Sequence, residues 1–485
     1  MQRNFAKLAY AMCEKFRADG EINQFCGFVQ SKKAEDFLSG NKNIFSSLIY
    51  EARIYKAAKE EKLDLEYLKQ MEKEYGIPNL WPYFLADRLL MMSYPIKEYS
   101  NDALFKYEDM LKIMQVTFRE VINFYKKEKP DFVVFSAIAS TSTLIMYQVA
   151  RKMGIKTHTI EHTRVKNFVT ITDNGNEGYS IANALFQRIR AGSYVSKNKD
   201  AARKLILDYK EIPIPRIWKG AYRRSSFLKI LWLEFFGFFK YLRAYYKECR
   251  YLDYQEQKPI DYLKNRSVRG FRRLMNYNSE FKKFNEEDNY VYFPLHTDPE
   301  LSTMVLGPYF TDQVALAHNI AKALPVGFKL YIKEHPGMAY IRPKSYYKRL
   351  NEMANIVVIH QDFSSAKLLQ NCKALVTVSG TAGLEALYLG KPVITFGKVF
   401  YNEISFVHKI TDLTKLADLF QNIFSQDLHN EDELIDFISA IIDTSTSLDL
   451  FKLWHETKPE DINKSKEFTD FVVFFEKIIK KDHGK

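Results

Sequence analysis

The run KEHPG at 333–337 places a histidine between charged residues and a proline, directly after an apolar stretch at 329–333. The ring of Pro336 disfavours helical geometry at His335, which restricts the backbone that carries the imidazole. An imidazole held in this way can donate a hydrogen bond to a phosphate oxygen and, when protonated, offset negative charge. The run therefore predicts a phosphate-contacting site. The alternative is an ordinary turn with a surface histidine.

A second run, SGTAGLEAL at 379–387, follows an apolar stretch at 374–378. Small residues between a strand and a helix let the main chain approach a phosphate closely. Ser379 and Thr381 are the candidate hydroxyl donors. Glu385 lies one helical turn beyond Thr381 on the same face, where its carboxylate could accept hydrogen bonds from ribose hydroxyls. The alternative is a tight turn in which Thr381 caps the helix with Glu385 as its partner.

His296 and Thr297 follow a further apolar stretch at 290–295. Polar residues at a strand end of an open sheet lie near the ligand site. We expect this loop to border a cleft between two domains, with an ordinary polar loop as the alternative.

In the first half of the chain, Glu161, His162 and Arg164 follow a predicted strand at 156–160. Ionisable groups and a guanidinium at a strand end suit a general base and an anion anchor. A surface loop with a local Glu–Arg pair is the alternative. The hydroxyl-rich run SAIASTST at 136–143 could line the same cleft, but we favour helix capping for it.

The elements that must position these residues alternate regularly in the second half. Five strand candidates are separated by helical stretches and lie at 290–295, 329–333, 356–359, 374–378 and 392–396. This alternation predicts a parallel sheet covered on both faces. The two phosphate-binding runs follow neighbouring candidate strands of one domain. Because ligands bind at the carboxyl ends of such strands, we expect both runs to border the same site.

The first half predicts a shorter βαβ pattern, with strands at 131–135 and 156–160 around a helix at 140–153. We expect the first 130 residues to be helical apart from one strand at 24–30. Residues 201–285 lack strand alternation and predict a helical connector, and the last 75 residues are expected to be helical.

Composition restricts the class of protein. The 485 residues are 46% apolar and 27% charged, which excludes a mostly disordered chain. The formal net charge of +12 is local: residues 201–285 hold 20 Lys and Arg against 8 Asp and Glu, which leaves 51 against 51 elsewhere. Such a distribution indicates one basic module beside a neutral body and argues against a nucleic-acid partner.

Four separated cysteines form no metal-ligand or disulfide pattern, so we predict no metal site and a reducing cytoplasm. We also expect no signal peptide and no spanning helix. The motifs of P-loop NTPases, serine hydrolases, zinc proteases and simple dehydrogenases are missing.

The segment 290–397, with YVYFPLHTDPE, KEHP and TVSGTAGLEALYLGKPVITFG, resembles the capsular polysaccharide biosynthesis family of bacterial glycosyltransferases, which contains the Kdo transferases of capsule export systems. The upstream runs GIPNLWPYFLADR and PDFVVFSAIASTSTLIMYQVARKMGIKTHTIEHTR are similar to the N-terminal half of such proteins. One departure is His296, where the family often has Gln.

The resemblance implies an α/β fold of the GT-B type, in which two Rossmann-like domains with added helical segments face a cleft. It implies metal-independent transfer of a sugar from a nucleotide-sugar donor, CMP-Kdo-like or other, onto a surface or capsular polysaccharide or its lipid-linked acceptor. No cofactor is expected.

From position and resemblance together we predict the roles of individual residues. His335 stabilises the leaving nucleotide, Glu161 with His162 as the substitute assists the acceptor hydroxyl, and Arg164 binds an anion. The residues predicted to bind the donor are His296, Thr297, Lys333, Pro336, Ser379, Gly380, Thr381, Gly383 and Glu385.

Two alternatives stay open. The run SGTAGLEALYLGKPV also resembles the nucleotide-sugar 2-epimerases, which share the fold. A non-catalytic glycan-binding subunit of a capsule export complex is the other.

The basic module contains a helix with a cationic stripe, namely Lys240, Arg243, Lys247 and Arg250. Apolar residues lie opposite, namely Leu231, Phe235, Phe238, Leu242 and Tyr245. This pattern is typical of a helix in a membrane interface and predicts a peripheral location on the inner face of the plasma membrane. Packing against the protein body and an electrostatic groove for an acidic glycan are the alternatives.

The predicted organisation has four parts. Residues 1–200 form a Rossmann-like acceptor domain with a helical extension, and 201–285 form the basic connector. Residues 286–410 form the nucleotide-sugar domain, and 411–485 form C-terminal helices.

Overall fold

The computed structural model describes residues 3–20, 22, 24–40, 44–76, 79–85, 87, 90, 105–175, 178–211, 227–246, 258–275, 277–426 and 428–482. Within these, side chains at 3–4, 227–234, 274, 277–278, 454–455 and 481–482 are not described. The described residues build two α/β units, the first with a two-stranded and a four-stranded sheet and the second with a six-stranded sheet.

The first unit has five strands from the first half of the chain: β1 (Phe25–Val29), β2 (Phe45–Tyr50), β3 (Phe132–Phe135), β4 (Lys156–His162) and β5 (Phe168–Thr172). β1 and β2 form a parallel pair. β3 and β4 are parallel, whereas β5 runs antiparallel to β4. The predicted βαβ pattern around β3 and β4 is confirmed.

The helices of this unit are α1 (Arg3–Ala18), α2 (Lys32–Ser39), α3 (Glu51–Glu60), α4 (Leu65–Tyr75), α5 (Trp81–Leu85), α6 (Tyr107–Glu128) and α7 (Thr141–Lys152). The expectation of a single strand before residue 130 is wrong, because β2 also forms there. Its sequence FSSLIY carries two serines and has no clear alternation. β2 is stabilised by pairing along β1, with α2 as the crossover.

The described residues in the middle of the chain are mostly helical, as predicted for 201–285. Its helices are α8 (Ser180–Arg190), α9 (Lys199–Glu211), α10 (Phe227–Ala244) and α11 (Pro259–Leu274). Buried side chains of α8 and α9, such as Phe186 and Ile206, join one core with the second unit. These helices therefore connect the two units.

The second unit is a six-stranded parallel sheet with strands β6 (Asn289–Pro294), β7 (Phe328–Lys333), β8 (Ile356–Ile359), β9 (Ala374–Thr377), β10 (Val393–Thr395) and β11 (Val407–Lys409). Their order is β8-β7-β6-β9-β10-β11, the doubly wound Rossmann order. All five predicted strands are present. The short edge strand β11 was not predicted.

Helices cover both faces of this sheet: α12 (Leu301–Met304), α13 (Gln313–Ala323), α14 (Lys344–Leu350), α15 (Ser365–Asn371), α16 (Ala382–Tyr388), α17 (Leu416–Ser425) and α18 (Glu431–Asp443). The strands are buried on both sides, which explains their continuous apolar sequences. One face packs against α13 and α17, and the other packs against α16, α18 and the helices α8 and α9.

The end of the chain returns to the first unit. A two-residue strand, β12 (Thr446–Ser447), pairs with β5. Helices α19 (Leu450–His455), α20 (Pro459–Ile462) and α21 (Lys466–Asp482) then pack with α1, and Phe471 and Phe475 enter the core of the first unit. The fold is therefore α/β with two Rossmann-like units and added helices, the GT-B arrangement.

None of the described helices is long and apolar enough to cross a lipid bilayer.

Candidate nucleotide-sugar site

The loop after β7 holds His335 in the geometry that its proline neighbour dictates. His335 is extended, with φ −68° and ψ 130°, and Pro336 begins a short 3₁₀ turn. The Gly337 main-chain N–H donates to His335 Nδ1 at 3.1 Å, so the ring proton of the neutral imidazole lies on Nε2. Burial lowers the pKa of His335. His335 is therefore a neutral hydrogen-bond donor at neutral pH.

A buried ion pair fixes this loop. Arg342 Nη1 lies 2.6 Å from Glu334 Oε1, and both side chains are almost fully buried. The Tyr347 hydroxyl donates to Glu334 Oε2 at 2.8 Å. Arg342 Nη2 also donates to the main-chain carbonyl of His296 at 2.7 Å. Arg342 thus joins the loop after β7 to the loop after β6.

Lys333 ends β7 with its ammonium group largely buried. Lys333 Nζ donates to Ser365 Oγ at 2.6 Å. Burial lowers the pKa of Lys333 to about 8, while Asp362 and Glu385 raise it in part. The ammonium group is therefore mostly charged at neutral pH and lies near Glu385, on a neighbouring element.

The loop after β9 is tied to the loop after β6 through His296. His296 Nε2 lies 3.1 Å from Thr377 Oγ1, and the Ser379 main-chain N–H donates to the same nitrogen at 3.4 Å. Gly380 fits here because a Cβ would lie 2.7 Å from Thr377 Oγ1. Burial lowers the pKa of His296 to about 4. His296 is thus a neutral residue that positions the loop.

The two predicted hydroxyl donors in this loop differ: the Ser379 hydroxyl is hydrogen-bonded within the protein, whereas the Thr381 hydroxyl makes no cap hydrogen bond. Ser379 Oγ donates to the main-chain carbonyl of Ser302 at 2.7 Å, which ties the loop to α12. Thr381 is exposed at the start of α16 and its side chain makes no cap hydrogen bond. In this structure Thr381 is the hydroxyl that can donate to a ligand.

Gly383 serves packing against the aromatic residue Tyr401. A Cβ at Gly383 would collide with the Tyr401 hydroxyl and ring. That hydroxyl donates to the Gly380 carbonyl at 2.5 Å. The glycines of the run SGTAG therefore shape the loop around His296 and Tyr401.

Glu385 is largely buried among tyrosines, with Lys333 near. Burial raises the pKa of Glu385, while a hydrogen bond from Tyr209 and the charge of Lys333 lower it. Tyr209 belongs to α9, and its ring lies 5.2 Å from that of the buried Tyr388. Glu385 thus lies where a helix from the middle of the chain covers the second unit.

Glu161 and His162, at the end of β4, belong to the first unit and lie next to this region. The Tyr179 hydroxyl donates to the His162 carbonyl at 3.1 Å, and the Tyr179 ring stacks on Phe400 of the second unit at 4.5 Å. Burial raises the pKa of Glu161 to about 7, and Arg164 lowers it in part. Glu161 is therefore half-ionised near neutral pH, as a general base requires.

His162 and Arg164 form a tight local turn. The Arg164 main-chain N–H donates to His162 Nδ1 at 3.0 Å, and Arg164 has a positive φ of 63°. Burial lowers the pKa of His162, with Arg164 contributing. The Arg164 side chain is exposed, so its guanidinium remains open to an anion.

Hydrogen bonds join the predicted donor residues in the loops after β6, β7 and β9, whereas Glu161 and His162 reach the second unit through Tyr179 and Phe400. Thr297 and Pro336, both partly buried, lie in the loops that carry His296 and His335. The described residues contain no group of three or more His, Cys, Asp or Glu that could hold a metal ion.

A second polar cluster lies at the carboxyl ends of β1, β2 and β3 and was missed in the sequence. Glu51 directly follows β2 and accepts a hydrogen bond from Ser142, and Gln30 Nε2 donates to Ser140 Oγ at 3.1 Å. Burial raises the pKa of Glu51 to about 7, with Asp87 adding to the shift. The run at 136–143 contains a capping box at Ser140, which confirms the capping interpretation.

Arg342, Tyr209, Tyr179 and Tyr401 were also missed. None of them lies in a motif, and each acts through residues distant in sequence. Of these four, Tyr401 has a weak sequence signal, because it follows β10 shortly after the run GKPVITFG.

The fold and this site define the class: a GT-B type α/β protein with polar groups at the strand ends of both units. Residues 201–418, a little under half of the chain, match the family model described as capsule polysaccharide biosynthesis protein. The match includes the basic connector, which lies outside the sequence motifs.

Curated relatives align over short segments. The capsule polysaccharide modification protein LipA of Neisseria meningitidis serogroup B is 31% identical over 72 residues, which is 15% of this chain and 10% of LipA. Protein FixF of Sinorhizobium fredii is 28% identical over 146 residues, 28% of this chain and 34% of FixF. The aligned segments thus span from a tenth to a third of these relatives.

Solved structures show distant similarity. The beta Kdo 2,7 transferase of Thermosulfurimonas dismutans KpsC has a TM-score of 0.38 and 12% identity, covering 73% of this chain and 89% of that chain. The UDP-GlcNAc 2-epimerase of Neisseria meningitidis, bound to UDP-GlcNAc, has a TM-score of 0.29 and 13% identity, covering 87% and 98%. These scores do not discriminate between transferase and epimerase.

Proposed function

We propose that this protein is a glycosyltransferase that moves a sugar from a nucleotide-sugar donor onto a surface or capsular polysaccharide or its lipid-linked acceptor. The proposal rests on the cationic and hydrogen-bonding groups at the carboxyl end of β7, within the segment that matches the capsule family model. Lys333 and His335 lie there. The first unit contributes a half-ionised carboxylate, Glu161, next to Tyr179, which stacks on Phe400 of the second unit.

On the donor side, Lys333 supplies positive charge and His335 Nε2–H and the Thr381 hydroxyl supply hydrogen bonds to phosphate oxygens. These groups stabilise the charge that develops when the bond from the sugar to the phosphate breaks. Glu385 accepts hydrogen bonds from the ribose hydroxyls. Ser379 contributes a donor only if the nucleotide displaces the Ser302 carbonyl, and otherwise positions the loop with Gly380, Gly383 and His296.

On the acceptor side, Glu161 accepts the proton of the attacking hydroxyl. Its pKa of about 7 keeps a large fraction ionised at neutral pH while leaving it basic enough to take the proton. His162 is the substitute base, and Arg164 binds an acidic group of the acceptor. This scheme uses protein cations in place of a metal ion and needs no resident cofactor, and a CMP-linked donor such as CMP-Kdo is one candidate.

We place the reaction in the cytoplasm, on the inner face of the plasma membrane. The basic connector between the two units supports this location, since its charge excess suits an anionic surface.

The test is a transfer assay with CMP-, UDP- and GDP-sugars, an oligosaccharide acceptor and detection of released nucleotide. We expect acceptor-dependent release that falls by at least tenfold in His335→Ala, because a donor to the developing charge is lost. His318→Ala is the matched control, since His318 is on α13 and lies 2.8 Å from the Arg349 carbonyl.

Two outcomes would contradict the proposal. Interconversion of a UDP-sugar without acceptor would identify a 2-epimerase. A chain that binds no nucleotide would fit a glycan-binding subunit of an export complex.

A further inference from the structure

Helices α10 and α11 pack against each other through aromatic rings. The Tyr241 and Tyr262 rings stack at 4.0 Å with an angle of 4° between their planes, and Phe238 lies 6.3 Å from Tyr262. Lys247 and Arg250, two members of the predicted cationic stripe, lie outside the described residues. The described parts of α10 and α11 together with Tyr246 and Met275 are called the helix pair below.

The outer face of α10 is aromatic and cationic at once. Four aromatic side chains are 50% to 59% exposed, namely Phe235, Phe236, Phe239 and Tyr246. Lys240 and Arg243 are exposed on the same face. The prediction that Phe235 lies opposite the cations is wrong. Phe235 points to solvent with Phe239, whereas Phe238, Leu242 and Tyr245 are partly buried.

The outer face of α11 is apolar. Its exposed large side chains recur at helical spacing and are Ile260, Leu263, Phe271 and Met275, each 43% to 61% exposed. Lys264 and Ser267 lie on the same face and are also exposed. Eight large apolar side chains thus face solvent on two adjoining helices, which is more than isolated surface residues and marks an interaction site.

The helix pair is fixed to the second unit beside the candidate site. Arg272 donates to the Ile341 carbonyl, and Arg273 lies over the Tyr340 ring at 5.9 Å. Residues 340–341 directly precede Arg342, which holds the loop of His335 through Glu334. A surface that binds the helix pair would therefore hold the candidate site at a defined distance from that surface.

We propose that the outer faces of α10 and α11 dock into the headgroup layer of an anionic lipid bilayer. Aromatic, aliphatic and cationic side chains on one surface match this layer, where apolar groups enter the acyl boundary and cations meet lipid phosphates. The net charge of +12 over 201–285 opposes pairing with a second copy of the same surface. The proposal rests on the proposed function only for what the docking achieves, namely access to a membrane-linked acceptor.

Flotation of the full chain with vesicles tests the docking. We expect the protein to float with phosphatidylcholine vesicles that contain phosphatidylglycerol, to float poorly with phosphatidylcholine alone, and to dissociate as salt rises. In Lys240→Glu/Arg243→Glu, binding should fall at least about 25-fold, since each cation near the surface contributes roughly fivefold. Phe235→Ser/Phe239→Ser should also weaken binding, with all charges retained.

Matched controls use exposed residues elsewhere. Lys56→Glu/Lys73→Glu makes the same charge change on α3 and α4, and Tyr309→Ser/Val326→Ser removes two exposed apolar side chains of the second unit. Both controls should float like the parent.

Equal flotation with and without phosphatidylglycerol, or unchanged flotation of the helix-pair variants, would overturn the docking. A dimer in solution that the Phe235→Ser/Phe239→Ser variant dissociates, without flotation, would assign the surface to a second copy instead. Nucleotide titration of the same preparations separates the two proposals, because loss of nucleotide binding with intact flotation would refute the transferase and leave the docking in place.

Discussion

Replacing Arg342 by methionine should destabilise the second unit strongly, because it leaves Glu334 charged and buried. Arg342 and Glu334 are only 5% and 1% exposed, and their closest atoms are 2.6 Å apart. The substitution also removes the hydrogen bond to the His296 carbonyl. The loops that carry His335 and His296 would both lose their common support.

The expected cost follows from the partners that remain. Breaking a buried ion pair by removing one member costs about 3–5 kcal/mol. Glu334 keeps its hydrogen bonds from the Tyr347 hydroxyl and from the His335 main-chain N–H, so we expect about 3 kcal/mol. At a slope of roughly 2 kcal/mol per M urea, the unfolding midpoint should fall by about 1.5 M.

Urea unfolding followed by far-ultraviolet circular dichroism measures this change, and hydrogen exchange of peptides within 289–350 localises it. Arg349→Met is the control, since Arg349 is exposed and lies 3.9 Å from Asp312, and it should cost less than about 1 kcal/mol. Adding Glu334→Gln to Arg342→Met should recover part of the loss. A cost for Arg342→Met no larger than that of the control would refute the view that this pair supports the site.

Three further predictions concern the site. Gly383→Ala should lower the Tm through a clash with Tyr401 that costs roughly 1–3 kcal/mol, and an unchanged Tm in differential scanning calorimetry would contradict it. Glu161→Gln should reduce kcat for sugar transfer by roughly 10²–10⁴ with unchanged nucleotide Kd, and the parent rate should rise as pH passes about 7 because the carboxyl must lose its proton; a pH-independent parent rate would argue against Glu161 as base. Nucleotide affinity should fall as pH rises through about 8, where Lys333 loses its charge, and titration calorimetry at several pH values should show this dependence in the parent and none in Lys333→Met.

Sequence patterns predicted the second unit well because its strands are buried on both faces. Continuous apolar runs such as 356–359 coincide with the observed strand, and the polar runs at 333–337 and 379–387 lie at strand ends as expected. The edge strand β11, with the sequence VHK, has too few apolar residues to be recognised and forms by pairing with β10.

The first unit was harder to predict because its strands depend on distant partners. β2 is partly polar and is stabilised by β1, and β12 has two residues and pairs with β5, more than 270 residues earlier. The Glu51 and Asp87 cluster was missed for the same reason, because the chain between them shows no motif. The roles of Arg342 and Tyr209 likewise depend on side-chain contacts that no local pattern encodes.

Composition identified the basic module, but the orientation of α10 could not be derived from a helical wheel. The helical wheel predicts the cations and the aromatic residues on opposite faces. In the structure, packing of Tyr241 on Tyr262 turns Phe235 and Phe239 outward beside Lys240. The partner helix α11 decides this rotation.

Titration calorimetry of the full chain with CMP, UDP and GDP tests the central claim most directly. We predict that one nucleotide binds the parent, that Lys333→Met weakens its binding at least tenfold, and that Lys329→Met does not. Lys329 is the matched control because it lies on the same strand, four residues earlier, paired with Asp288 at 2.8 Å. Binding of none of the three nucleotides, or equal binding by the parent and Lys333→Met, would contradict a nucleotide-sugar site at the end of β7.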